Sequence, residues 1–344
     1  MQRTNPRHLA ALATLFAVSI SACGGTGSPP APAATSASGS PWQQLRPLGS
    51  GGHPSEAGSN DSPKWAPGKI PVGVQPVLAF KDELWMTSQT NAWSSPDGLD
   101  WTHYAKTDTG DQIWQSTVFF NDRLWSFGGL RYRDRMPINE IWSSGDGTTW
   151  VQSAPADWSP RKEQAVAVFH QKLWLFGGAD KVRADFTTEH ALNDIWSSGD
   201  GLHWTKVTDA APWSPREGLH VVILNDALYL IGGHNAADVW RSADGATWTL
   251  VTAGVPWATH DGYVGIAFAG KLWVYGGWTG RTTNALNDVW YSSDGQSWTQ
   301  QTEHAAWGPR SPLSVVFQHK LWIFSGKHTG NKDSWGGDVW VMNE

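Results

Sequence analysis

The chain predicts an all-β fold: a six-bladed propeller with four antiparallel strands per blade. Three observations carry this. The pattern Asp-Val-Trp-Tyr-Ser-Ser-Asp-Gly-Gln-Ser-Trp, at Asp288 to Trp298, recurs in near copies whose first tryptophans are Trp93, Trp142, Trp196, Trp240, Trp290 and Trp340. A second block precedes each copy, as in QKLWLFGG before Ala179 and GKLWVYGG before Trp278. A period of roughly 50 residues holding four short apolar runs is the mark of a repeated four-stranded sheet.

Each repeat reads in the same order. An apolar run such as Val221 to Leu224 ends in a tight polar turn, here Asn225-Asp226, and a second run closes on Gly-Gly. A loop of variable length follows. The third run carries the first tryptophan and leads through Ser-x-Asp-Gly or a close variant to a second, at Trp101, Trp150, Trp204, Trp248 and Trp298. Asp-Gly between two short apolar runs is a hairpin signal, because glycine accepts the positive φ such turns need.

The sixth copy stops at Glu344, without a fourth run. Trp42 opens Trp-Gln-Gln-Leu, which parallels Trp-Thr-Gln-Gln at Trp298 and lies ahead of the first complete repeat. Residues 42–45 are therefore expected to supply the fourth strand of blade six and close the ring. An open ring would leave an edge of unpaired backbone groups.

Ahead of the propeller, Arg3 and Arg7 precede an apolar run from Leu9 to Ile20 and then Ser21-Ala22-Cys23. This reads as a secretory signal over residues 1–22. Residues 23–41 are rich in Gly, Pro, Ala and Ser and read as a flexible tether, leaving 42–344 as one domain. Loss of the leader takes the formal charge from −6 to about −8, and no basic stripe points to nucleic acid. The 25 tryptophans fall into repeating slots, apart from Trp114, Trp278 and Trp335, and are expected to pack between blades.

Gly128-Gly129, Gly177-Gly178, Gly232-Gly233 and Gly276-Gly277, with the tryptophans that follow, resemble the kelch-repeat family over Trp42 to the C-terminus; Ser325-Gly326 half matches and Ser88-Gln89 departs from the pattern. Ile-Ser-Ala-Cys resembles a bacterial lipoprotein box, and Cys23 is the only cysteine. That resemblance implies lipidation at Cys23 and anchorage at the cell envelope, on the outer membrane if the source is Gram-negative. Kelch propellers include galactose oxidase, whose copper chemistry needs a Cys-Tyr crosslink. With Cys23 spent on the anchor, that activity is excluded.

The turns after strands one and three are tight, whereas the connections after strands two and four are long. The long-loop face is thus the expected working face. It holds Trp278 and Trp335, which could stack on a ligand or be tucked against the blade, and a basic rim that includes Arg131, Tyr132 and Arg133. Trp-Ser-Pro-Arg at Trp158 to Arg161 and Trp213 to Arg216, with Arg310 and His260 as counterparts, would set cations around the channel mouth. Such cations suit a carboxylate ligand, or each pairs with an acid of an adjoining blade, Asp194, Asp238, Asp288 or Asp338. The expectation is a monomeric, non-catalytic module that binds a protein or glycan of the envelope, with no metal and no cofactor. The alternative is an envelope enzyme on an acidic sugar, resembling a sialic-acid epimerase or a sialidase, with Glu217, Glu163, Asp261, His220 and His260 as acid-base candidates.

Overall fold

The computed structural model describes residues 40–46, 77–88, 90–183, 187–234, 236–257, 260–279, 284–328 and 338–344. The leader, Cys23, nearly all of the tether and Trp335 lie outside the described residues. The fold is a β-propeller built from antiparallel four-stranded sheets, numbered I to VI here.

Sheet I holds Val77–Phe80, Glu83–Thr87, Asn91–Ser95 and Thr102–Ala105, and sheet II holds Ser116–Phe120, Arg123–Phe127, Ile141–Ser144 and Val151–Gln152. Sheet III follows with Ala165–Phe169, Lys172–Val182, Thr188–Ser198 and Thr205–Thr208. Sheet IV has His220–Leu224, Ala227–Ile231, Val239–Ser242 and Thr249–Thr252. Sheet V runs Val264–Phe268, Lys271–Tyr275, Val289–Ser292 and Thr299–Thr302. In sheet VI, Arg310–Phe317, Lys320–His328 and Val339–Asn343 are joined by Trp42–Arg46 from the other end of the chain. That last pairing is antiparallel, with Trp42 opposite Met342 and Gln44 opposite Trp340.

Polarity grades across each sheet as the side chains dictate. The first strands, such as Ala165–Phe169, are almost wholly buried, whereas fourth strands such as Thr102–Ala105 and Thr205–Thr208 are largely exposed. First strands lie side by side: that of sheet I contacts those of sheets II and VI, and the series continues through III, IV and V to VI. The turn from first to second strand is two residues with φ near +50° at both, as at Asn121-Asp122 and Asn225-Asp226. That is the twist-matched geometry of a tight hairpin.

Each Ser-x-Asp-Gly turn is tied internally and pressed on a neighbour. In sheet II, Gly147 N donates to Ser144 Oγ at 2.9 Å, Thr148 N donates to Asp146 Oδ1 at 2.8 Å, and Trp150 Nε1 donates to Gly147 O at 3.1 Å. Gly147, with φ +83°, lies so close to Trp85 of sheet I that a Cβ would come within 2.5 Å of the ring. The same contact joins Gly201 to Trp125, Gly245 to Trp174, Gly295 to Tyr229, and Gly98 to Trp322 of sheet VI.

The buried apolar residues accordingly group by pairs of successive sheets. One group joins sheets II and III through Phe127, Trp158, Leu175 and Trp204, and another joins V and VI through Tyr275, Trp307, Ile323 and Trp42. A further group joins VI to I through Phe317, Trp322, Val77 and Met86. Trp42 meets Trp307 edge-on at 6.3 Å, as Trp204 meets Trp158 at 6.2 Å in sheet III.

The long connections are more regular than expected, because their backbone groups pair above the blades. Gln112–Ile113, Leu130–Arg131 and Met136–Pro137 form a three-stranded sheet; so do His260–Asp261, Trp278–Thr279 and Asn284–Ala285. In sheet III the middle hairpin is simply extended to strands of 11 residues each.

Gly147→Ala should destabilise the fold by roughly 2–4 kcal/mol, combining the cost of a left-handed non-glycine residue with overpacking against Trp85. A shift in the urea midpoint without a change in slope would show it. Unchanged stability would mean that the turn does not press on the neighbouring indole.

Candidate functional site

The repeated arginines are locked into the architecture. Arg161 forms a two-pronged pair with Asp194, at 2.6 and 2.9 Å, and also donates to Ser159 O and Gly177 O. Arg216 holds Asp238 in the same way and Arg310 holds Asp338 at 2.5 and 2.9 Å. All three arginines are buried. Each of these aspartates also accepts the indole N–H of the tryptophan two residues on, Trp196, Trp240 or Trp340. In sheet V the arginine is replaced by His260, whose Nε2 lies 3.5 Å from Asp288.

The acid therefore comes from the same sheet as the arginine, not from an adjoining one. The reason is geometric. The double glycine swings the chain so that the carbonyl of Gly177, the third-strand Asp194 and the Arg161 fork converge inside one repeat. What reaches the next sheet is backbone: Gly129 N donates to Arg161 O at 2.8 Å, and Gly178 N donates to Arg216 O at 3.0 Å. With both prongs committed to a carboxylate, these guanidiniums are not presented to a ligand.

The other loop-face candidates separate similarly. Trp278 is 4% exposed, an anchor beneath the loop rather than an offered ring. Arg131 is held by Asp134 and Glu140, each at 3.1 Å. Arg133 sits on the rim, 3.7 Å from Asp111, and Tyr132 is half-buried beside it.

Three of the acid-base candidates do converge. Glu163, Glu217 and Asp261 each lie just ahead of a first strand, in sheets III, IV and V, and so meet where the innermost strands begin. Two residues absent from the expected set complete the group. Lys162 Nζ donates to Glu217 Oε2 at 2.5 Å and to Glu163 Oε1 at 3.2 Å, and lies 4.6 Å from the centre of the Trp114 ring. His234 Nδ1 is 3.2 Å from Glu217 Oε1, while its Nε2 is 3.9 Å from Glu163 Oε2 and 3.5 Å from Asp261 Oδ1. Thr188 Oγ1 donates to Glu217 Oε1 from the tip of the extended hairpin.

His220 and His260 stand apart. His220 is buried with its ring 4.9 Å from that of Tyr263, and burial holds its pKa down to about 4. His260 is half-buried and serves in the arginine slot.

The backbone at Glu163 is unusual. Its φ is +51°, a conformation that the corresponding positions in sheets IV and V fill with Gly218 and Gly262. Glu163 N donates to Trp114 O, itself at φ +59°, and Glu163 O accepts from Gly218 N. A large side chain at a place suited to glycine is strained, and such strain collects at functional sites.

The two glutamates are driven apart electrostatically. Burial and the charge of Glu217 raise the pKa of Glu163 against the pull of Lys162. Burial also works on Glu217, but the His234 hydrogen bond and the Lys162 charge prevail and lower it to about 2. His234 pays a burial penalty yet is raised to about 9 by Glu217, Glu163 and Asp261. Neighbouring carboxyls with opposed displacements are suited to give and take a proton. Glu163, Glu217 and His234 are also the only group among the described residues with the ligand count and spacing for a metal ion.

Lys162 stands where the next two repeats hold Glu217 and Asp261, one residue after the arginine or its histidine counterpart, whereas His234 was legible only as the residue after Gly232-Gly233.

No family model matches the chain, and no curated protein matches it. Among solved structures it is similar to YjhT, with 15% sequence identity and a TM-score of 0.62 over 81% of this chain and 98% of that one. At that identity the likeness concerns the fold.

Because the folded pKa of His234 lies above its usual 6.5, its ion pairs stabilise the protein fully below pH 6.5 and lose that effect as pH rises through about 9. The melting temperature should therefore fall by several degrees more between pH 6.5 and 9.5 in the native protein than in His234→Asn. Parallel curves for the two would contradict the charged His234.

Proposed function

We propose that this chain is a lipid-anchored protein of the cell envelope, a kelch-type propeller of six blades that binds a small polar ligand, or a polar group of a partner, at the channel mouth on its long-loop face. The observation that carries the reading is the convergence of Glu163, Glu217, Asp261, Lys162 and His234 where the first strands of sheets III to V begin. It lies on the face from which the long connections rise, and Asp261 remains partly exposed. Ring closure by residues 42–45 is supported by the pairing of Trp42–Arg46 with Val339–Asn343 and by the packing of sheet VI on sheet I. The anchor rests on Ile-Ser-Ala-Cys at Cys23 and the apolar stretch before it.

Three carboxylates against two cations, with the arginines paired elsewhere, make this mouth suited to a neutral hydroxyl-rich or cationic group. An anion would meet the exposed face of Asp261. The alternative, an enzyme acting on an acidic sugar, draws on the opposed displacements of Glu163 and Glu217. Its carboxylate-binding arginines would have to leave Asp194, Asp238 and Asp338, and breaking such a buried pair costs roughly 3–5 kcal/mol.

Two measurements test the proposal on the detergent-solubilised full chain. In a thermal-shift panel of neutral glycans, amino sugars, sugar acids and cell-wall fragments, a neutral or cationic member should raise the melting temperature, and Glu217→Gln should weaken its binding at least tenfold. A sugar acid as the sole ligand, turned over by the native protein and not by Glu217→Gln, would establish the enzyme instead. Deletion of Trp42 to Leu45 should lower the melting temperature sharply. Equal stability without them would remove the closing strand.

A further inference from the structure

We propose that the channel mouth holds a divalent transition-metal ion, bound by Glu163 Oε2, His234 Nε2 and Asp261, with Glu217 and Lys162 as the supporting layer. The inference deepens the channel-mouth reading and rests on it.

The atoms are divided as a metal centre needs them to be. Glu163 uses Oε1 to accept from Lys162, whereas Oε2 is buried and has no hydrogen-bond partner. With the Glu163 side chain only 3% exposed, water offers little relief. A buried carboxylate oxygen left without a donor is costly, and its presence calls for a partner.

Oε2 faces the imidazole edge, and a bound ion would take the place of the proton that His234 Nε2 otherwise carries. His234 Nε2 is 3.9 Å from it and 3.5 Å from Asp261 Oδ1. Ligand atoms each about 2.1 Å from one ion stand about 3–4 Å apart, so both separations admit an ion between the pairs. Asp261 lies outside the compact Glu163, Glu217 and His234 group as placed, but its side chain, 43% exposed and 3.5 Å from His234 Nε2, can rotate to complete the set, and water can fill the remaining positions.

The far side of the imidazole is arranged to match. Nδ1 is 3.2 Å from Glu217 Oε1, which also accepts from Thr188 Oγ1, while Glu217 Oε2 accepts from Lys162. A carboxylate on one ring nitrogen orients a histidine and makes the other nitrogen a better ligand. Lys162 touches Glu163 only through the oxygen turned away from the proposed ion. One imidazole with two carboxylates suits zinc or manganese better than calcium, which favours an all-oxygen shell.

The backbone strain at Glu163 fits the same purpose. The corresponding positions hold Gly218 and Gly262 in sheets IV and V and Trp114, at φ +59°, in sheet II, so the repeat imposes the positive φ and a glutamate at φ +51° carries a carboxylate there at a local cost.

That strain also supplies a clean test. Glu163→Gly removes the ligand at a position whose conformation favours glycine, so the variant should fold with a melting temperature at or above that of the native protein. The detergent-solubilised full chain, stripped with EDTA, is titrated with zinc chloride and with manganese chloride by calorimetry, and the retained metal is counted by mass spectrometry. The expected result is one equivalent of zinc or manganese, bound at least tenfold more weakly by both Glu163→Gly and His234→Ala. Glu217→Gln should weaken binding tenfold to a hundredfold while keeping the stoichiometry, as a positioning residue would. Failure to retain either metal would overturn the proposal, as would binding unchanged in Glu163→Gly or calcium binding indifferent to His234→Ala. Repeating the ligand panel in EDTA separates the two readings: a ligand shift that persists without any metal uptake leaves the pocket standing and removes the ion.

Discussion

The contact on which the rest of the molecule depends is the one between the glycine of each Asp-Gly turn and the flat face of an aromatic ring in the preceding sheet. Gly98, Gly147, Gly201, Gly245 and Gly295 each lie against Trp322, Trp85, Trp125, Trp174 or Tyr229 with no room for a Cβ. Glycine does two things there: it takes the positive φ of the turn, and it lets the backbone reach the ring. The aromatic in turn spans the gap between two sheets, which single strands of Val and Leu could not fill. Because the contact always runs from one sheet to the one before it, it sets their order around the axis.

A second constraint holds each repeat together internally. The arginine at the start of the repeat, the third-strand aspartate and its tryptophan form one hydrogen-bonded knot around Arg161, Arg216 and Arg310, which at Arg161 and Arg216 also takes in the first carbonyl of the double glycine. Burying a guanidinium is tolerable only with its charge met and its donors used, and the knot meets both conditions. The candidate site lies where the repeat is least faithful to itself. Glu163 stands in place of a glycine, Lys162 and Glu217 follow the arginines, and His234 follows a double glycine whose counterparts are followed by Leu130, Ala179 and Trp278. Architecture occupies the recurring slots of the repeat, and chemistry is left to the positions beside them.

Much of this was readable from the chain. Strand order, the tight turns and the slots of the tryptophans follow from a repeated local pattern, since each hairpin is specified by residues close together in sequence. Glu217 and Asp261 were readable because each follows the arginine or histidine of its repeat, and Glu163 because it lies one residue beyond the same place. The partner of each arginine was anticipated in kind but not in location. Whether the acid came from the same sheet or the next depended on how the double glycine turns the chain, which spacing does not record. Trp278 was open in the same way, since an indole in a loop can face solvent or the blade, and only packing decides.

His234 and Lys162 mark the boundary. Their neighbours in sequence are motif residues, but their partners are 17 and 55 residues away, at Glu217. The periodic part of the sequence determined the sheets, their internal pairing and the aromatic core, because those depend on alternation, turn chemistry and side-chain size at short range. The tertiary structure alone decided which charges meet at the start of the inner strands. Charge interactions depend on distance and burial, and both are set by how three sheets are placed side by side.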